Sequence, residues 1–348
     1  MAKTNGESLA GTKKPTLVDV ARDAKVSYQT VSRVINQHPS VADATRMRVQ
    51  RAVERLGYQP NRAARSLVTR RSNTIGIVSF GSRYFGPTQM LVNIEAASRR
   101  RGYGVTFTSM DGHATPDIRR AIGELTSQNL DGVVVIAPVA EVDPGTVLRL
   151  FGDTPFVMID IIPSEGVHSV AIDQAHGARL ATQHLIGLGH RRFCEISGPL
   201  RWHDAMLRHE TWLATLQAGG ITPGPSVESD WTAAGGHAAA QRLLGSGTAF
   251  TALFVGNDQM ALGAIRALRD AGLRVPQDVS VVGFDDVPEA AFFEPPLTTV
   301  RQDFVALGEE TVDYLTVVIK SPDTPPERRV LYPSFSVRSS TAGPPASR

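Results

Sequence analysis

The sequence predicts two structural classes in one chain: an all-α helix-turn-helix head, then an α/β core of two parallel-sheet lobes. Three observations carry that prediction. Charge is split: residues 1–72 hold 14 Lys/Arg against 5 Asp/Glu, a net +9, whereas residues 73–348 hold 22 against 29, a net −7. The basic region has apolar residues at helical spacing in short segments joined by tight turns. The acidic region alternates short β-rich runs with helical stretches, an order that buries parallel sheets between helices. A length of 348 residues also exceeds one compact core and calls for two or three domains.

Composition narrows the classes further. A hydrophobic share of 42% supports packed domains, and a charged share of 20% excludes a wholly disordered chain. No run approaches the ~20 apolar residues that span a bilayer. The opening MAKTNGESLAGTKKPTL lacks the apolar centre of an export signal. A cytoplasmic protein without membrane association is therefore expected. Cys194 is the single cysteine, so no intrachain disulfide can form. Gly6 and Gly11 have the spacing of a phosphate-binding loop, but Thr12 stands where that loop needs Lys. His184, His190 and Cys194 are too loosely spaced for a metal site, and no Gly-x-Ser-x-Gly elbow exists for a hydrolase. No metal, no cofactor and no enzymatic activity are expected.

In the head, residues 1–15 lack periodicity and read as a disordered tail. Val18, Ala21 and Ala24 mark a first helix, which Lys25-Val26 breaks. Ser27 is placed to cap a second helix, YQTVSRVIN, with Val31, Val34 and Ile35 on its apolar face. A third helix from about Asp43 to Leu56 buries Val49, Val53 and Leu56 and stops at Gly57. Two short helices with a tight turn, covered by a third, make a helix-turn-helix unit whose second helix enters the major groove of DNA. Tyr28 and Gln29 lead that helix, and Arg33 lies one turn beyond. Gln pairs with both polar groups on an adenine edge, and Arg with guanine N7 and O6. Thr30, Ser32 and Asn36 suit phosphate oxygens, which fix register without reading sequence.

In the core, TIGIVS, YGVTFTS, DGVVVI and FVMI read as strands of one lobe, and FCEIS, ALFV and VSVVGF as strands of a second. Helical patterns near 87–101, 116–128, 176–188, 204–217 and 259–271 separate them. Ligands of open parallel sheets bind beyond the carboxyl ends of the strands. Asp160, Ser197, Asn257 and Asp285 all stand there. Carboxylates, amides and a guanidinium give charge-assisted bonds to vicinal hydroxyls. Trp231 offers a flat face to a pyranose ring, so the cleft composition suits a carbohydrate.

The segments VDVARDAKVSYQTVSRVINQ and YQPNRAARSL resemble the LacI/GalR family of bacterial repressors, and the resemblance runs over about residues 15–341. It implies a DNA-binding domain over 16–60, a hinge helix and linker over 61–72 and a periplasmic-binding-protein-like effector and dimerisation domain over 73–341, with a tail at 342–348. Within that domain it implies a first lobe of about 73–172 and 302–331 and a second of about 173–301 and 332–341. Tyr28, Gln29 and Arg33 become base readers. Thr16, Leu17, Ser27, Thr30, Ser32, Asn36, Thr45, Tyr58 and Asn61 become backbone contacts, and Leu67 a wedge in the minor groove. Asp160, Arg208, Trp231, Asn257, Asp285 and Phe304 fall where the family holds sugar, with Tyr84, Pro87, Met90 and Asp204 along the same wall. Four positions depart from galactoside-responsive members: Asp204 stands in place of Ser, Ile136 in place of Asn, and Tyr84 and Gly86 also differ along the wall that faces the substituent on the sugar.

The implied function is a repressor of sugar-utilisation genes, released from a palindromic operator by a galactoside-like inducer. A different glycoside or a purine-type corepressor is the alternative. Two half-sites require a two-fold homodimer. The closing STAGPPASR has no apolar repeat every 3.5 residues, so a dimer rather than a coiled-coil tetramer is expected.

Overall fold

The computed structural model describes residues 15–35, 38–58, 71–80, 83–110, 115–136, 149–159 and 166–345. These form two compact units, divided between Ser72 and Asn73. Asn36, the hinge segment with Asn61 and Leu67, and Asp160 lie outside the described residues. Among the described residues no helix is long and apolar enough to cross a membrane.

The head is three helices: α1 (Leu17–Ala24), α2 (Tyr28–Ile35) and α3 (Asp43–Leu56). Thr16 opens α1 through a capping box, in which its hydroxyl accepts from the Asp19 N–H and its own backbone N–H donates to the Asp19 carboxylate. Lys25, at φ +51°, closes α1 in the left-handed region. Ser27 Oγ then accepts from the Thr30 N–H at 3.1 Å and starts α2. Gly57, at φ +61°, ends α3, where a side chain would be strained. Val20, Ala21, Ala24, Val31, Val34, Val49, Ala52 and Tyr58 form one core. Val18 departs from expectation: it is 53% exposed, and Val20, two residues on, takes the buried position. Both valines suit the local pattern, and packing against α3 chooses between them. Val53 and Leu56 are likewise only half-buried, with Ala52 fully buried between the helices.

The larger unit contains two six-stranded sheets. The first is wholly parallel and runs β2 (Gly104–Met110), β1 (Thr74–Phe80), β3 (Gly132–Ile136), β4 (Phe156–Ile159), β5 (Ser169–Ile172), β11 (Arg328–Leu331). The second runs β7 (Ser226–Glu228), β6 (Phe193–Ser197), β8 (Ala252–Val255), β9 (Ser280–Asp285), β10 (Thr298–Arg301), β12 (Ser334–Ser336). In that sheet only β12 is antiparallel, an edge strand on an otherwise parallel array. Helices α4 (Phe85–Arg100), α5 (Thr115–Thr126) and α10 (Phe304–Lys320) pack with the first sheet. Helices α6 (Gln174–Gly187), α7 (His203–Ala218), α8 (Ala233–Gly245) and α9 (Asp258–Asp270) pack with the second.

Three passages of chain join the lobes: between Ile172 and Gln174, between Arg301 and Phe304, and between Leu331 and Ser334. The interior strands β1, β3, β6 and β9 are buried almost throughout, as parallel strands covered on both faces must be, whereas the edge strands β2, β7, β11 and β12 are partly exposed. Arg101 locks α4 to α10 by donating to both carboxylate oxygens of Asp313 at 2.6 Å. This triple connection leaves the carboxyl ends of both sheets facing one interlobe space.

Candidate functional site

In the head, α2 presents Tyr28, Gln29 and Arg33 to solvent, with Tyr28 53% exposed, while Val31 and Val34 face the core. An eight-residue helix separates these faces because residues 28, 29, 32 and 33 fall on one side of a 3.6-residue turn. Ser27 Oγ and Thr30 Oγ1 lie 2.9 Å apart at its amino end. Thr16 is exposed, Thr45 half-buried in the first turn of α3, and Tyr58 buried in the core. Leu17 packs against that core.

In the larger unit a cavity of about 40 Å³ lies between the lobes. The first lobe supplies Tyr84, Phe85, Gly86, Pro87 and Met90, from the chain following β1. The second supplies Trp202, Asp204 and Arg208 from the start of α7, Trp231 after β7, Asn257 after β8 and Asp285 at the end of β9, with Gln302 following β10. Three aromatic rings meet edge to face: Tyr84 and Trp202 at 5.3 Å and 85°, Trp202 and Trp231 at 5.9 Å and 70°. Trp231 lies so close over Gly198 that a Cβ there would come within 2.1 Å of the indole.

A buried polar network backs the aromatic wall. Arg208 Nε donates to Gln174 Oε1 at 3.0 Å, and Nη1 donates to the Gly256 carbonyl. Gln174 donates to Gln302 at 2.9 Å, and Gln302 donates to Asp285 Oδ1 at 2.7 Å. Arg208 Nη2 is 3.8 Å from the same oxygen, and the guanidinium stacks on Phe284 at 3.8 Å. Asn257 caps α9 through Oδ1, accepting from the Met260 N–H at 2.9 Å, while its amide donates to the Trp231 carbonyl at 3.1 Å.

Burial pushes the Asp285 carboxyl up to about 6, although Arg208 and Gln302 oppose the shift. Asp204 is likewise raised to about 6, by burial first, with Arg208 pulling down and the Asp285 charge adding to the rise. Trp231 at φ +71° and Asp285 at φ +108° hold backbone conformations that cost of order 1–3 kcal/mol each. Such strain at three-dimensionally convergent residues is a mark of a ligand clamp. Below the network, His209 pairs with the buried Glu195 at 2.5 Å, and Ser226 donates to the same oxygen at 2.6 Å. The Glu195 hydrogen bond raises the His209 pKa. This cluster ties α7 to β6 beside Arg208.

A family model described as bacterial regulatory proteins, lacI family, matches residues 16–61, and one described as periplasmic binding protein-like domain matches residues 182–341. The lactose operon repressor of Escherichia coli (strain K12) is 36% identical over 303 residues, covering 87% of this chain and 84% of its own. The HTH-type transcriptional regulator CelR of Thermobifida fusca is 37% identical over 343 residues, covering 94% and 98%. The chain belongs to the LacI family.

Solved structures of this family agree along the chain. A lac repressor dimer bound to operator and the anti-inducer ONPF matches at a TM-score of 0.86 and 34% identity, over 95% of this chain and 100% of that one. A CelR–cellobiose complex matches at 0.71 and 34%, over 94% and 99%. This LacI-family chain is a DNA-binding transcriptional regulator, and its two parts divide the work between a helical head and a two-lobed core.

The cavity brings together Tyr84, Pro87, Met90, Asp204, Arg208, Trp231, Asn257 and Asp285. Phe304 stands directly behind that lining, buried in the first-lobe core and edge to face with the lining Phe85 at 6.0 Å. Gln302, two residues earlier, takes the place on the wall. Trp202, Phe85 and Gln302 escape the sequence reading. Trp202 lies five residues beyond the end of β6, so a wider search past each strand end would find it.

Proposed function

We propose that this regulator is a sugar-responsive repressor that acts in the bacterial cytoplasm as a homodimer on a palindromic operator. The observation that carries the sugar reading is the interlobe cavity: a wall of mutually perpendicular aromatics against a buried carboxylate, amide and guanidinium network. Aromatic faces suit the apolar face of a pyranose, and charge-assisted groups suit its hydroxyls. The curated relatives include repressors of lactose and ribose operons, and a solved relative holds cellobiose. A glycoside is accordingly the ligand class, with a galactoside the first candidate and a β-linked glucose disaccharide the second.

In the head, Tyr28, Gln29 and Arg33 read base edges, while Ser27, Thr30 and Ser32 contact phosphates. Sugar that favours one lobe orientation over another shifts the operator-binding equilibrium by its differential affinity for the two. Catalysis has no part in this: the cavity binds and releases. The experiment titrates the full chain onto a labelled palindrome at fixed salt, because counterion release dominates the affinity. Galactosides, glucosides and purines are then added separately. Release by a glycoside alone supports the reading, whereas strengthening by a purine would replace it with the corepressor alternative.

A further inference from the structure

Two groups on the cavity wall stay without a partner after the network is complete. Asp204 is 8% exposed and its Oδ1 accepts from nothing, and Trp231, also 8% exposed, has an indole N–H that donates to nothing. Arg208, one turn beyond Asp204 on the same face of α7, is already committed. Its Nε is on Gln174, Nη1 is on the Gly256 carbonyl and Nη2 faces Asp285, while its plane lies against Phe284 and Trp231. A buried carboxylate oxygen without a donor is costly, and so is a buried N–H without an acceptor.

The two demands are opposite in sense, and together they sort ligand chemistries. A phosphate or carboxylate only accepts, and it would set a further negative charge beside Asp204 and Asp285. An ammonium only donates, leaving the indole N–H unanswered. A sugar hydroxyl does both. We propose that Asp204 selects the ligand by accepting a hydrogen bond from one particular hydroxyl of an uncharged glycoside, while the Trp231 indole N–H donates to a second oxygen of the same sugar. This rests on the cleft being a saccharide site. It adds the residue that chooses among saccharides and the classes refused, namely sugar phosphates and uronates. The raised pKa of Asp204 agrees with a carboxyl that ionises comfortably only when a donor arrives.

The test is calorimetric titration of the full chain with cellobiose and lactose, then with singly deoxygenated forms and the 6′-phosphate of whichever binds. The variants are Asp204→Leu, Asp204→Asn and Trp231→Phe, each checked for cooperative thermal unfolding. Asp204→Leu is expected to weaken the parent sugar about 10- to 100-fold, with Asp204→Asn recovering part of the loss. One deoxy position should weaken the wild type by a similar factor and weaken Asp204→Leu no further. A different position should behave so in Trp231→Phe, and the 6′-phosphate should show no binding. The proposal falls if the Asp204 variants hold the parent sugar as tightly as the wild type. It also falls if no deoxy position loses its cost in Asp204→Leu, or if the phosphate binds as well as the neutral sugar. If a variant does not fold, the deoxy series and the phosphate on the wild type decide alone. A wild type that binds neither saccharide overturns the cleft reading itself, a distinguishable result.

Discussion

The head and the cleft solve recognition in opposite ways. The proposed reading groups of the head, Tyr28, Gln29 and Arg33, stand exposed within six residues of one short helix and need only Ser27 and a few valines to hold it. The groups of the cleft are buried and arrive from chain segments scattered between Tyr84 and Gln302, each fixed by another. Exposed groups facing a polyanion suffer no burial cost before binding. Buried groups must be satisfied either by one another or by the ligand itself. Substitutions in the head should therefore alter recognition and spare stability, whereas substitutions in the cleft should alter both.

The largest effect is expected at Arg208→Ala. Removing one partner of a buried charged pair costs about 3–5 kcal/mol, here because Asp285 loses its cation and Gln174 its donor. Denaturant unfolding of the larger unit and sugar titration should both register the loss, with operator affinity in the absence of sugar retained. A stable Arg208→Ala protein that still binds sugar would break the contrast. Next is Gln29→Ala, which should lose about 1–3 kcal/mol of discrimination at one base pair and leave unfolding and sugar affinity unchanged. Competition of operator variants at fixed salt measures it.

A smaller effect is pH-dependent. The Asp204 and Asp285 carboxyls are both raised to about 6, by burial first, with Arg208 pulling both down; the Asp285 charge adds to the rise of Asp204 and of the neighbouring Asp258. A carboxyl raised on folding contributes stability below its ordinary value near 4, and that contribution is lost as pH rises through about 6. Sugar hydroxyls that donate to the ionised form act in the other direction. Sugar affinity should therefore rise as pH climbs through 6, by no more than about tenfold per unit for each proton released. Flat affinity between pH 5 and 7.5 would contradict this. Asp204→Leu should reduce the slope.

The smallest effect is at Ser27→Ala, which removes the cap of α2 and should cost the head about 1 kcal/mol. Its thermal unfolding should shift while that of the larger unit does not.

Legibility followed the same division. The boundaries of α2, the break at Lys25 and the stop at Gly57 are local events, each set by a cap or a left-handed residue, and so readable from neighbours in the chain. Val18 and Val20 show the limit, since two apolar residues two apart satisfy one pattern and only α3 decides between them. In the larger unit the buried strands β1, β3, β6 and β9 announce themselves by apolar runs. Strand β10, reading TTVR, and helix α8, opening AAGG, carry no such signal and are held by neighbours distant in sequence. Gln302 is hidden for that reason, because its place depends on β10. Glu195 sits in an apolar strand, and nothing nearby in sequence betrays that His209 and Ser226 will meet it.

The central claim is that what fills the interlobe cavity governs what the head does on DNA. The direct measurement is operator affinity at one fixed salt concentration, without sugar and with a glycoside saturating the cavity. A fall of about 5- to 150-fold, matched by an equal weakening of sugar binding when operator is present, is the predicted result. Equal operator affinity in both conditions, with the cavity demonstrably occupied, would contradict it.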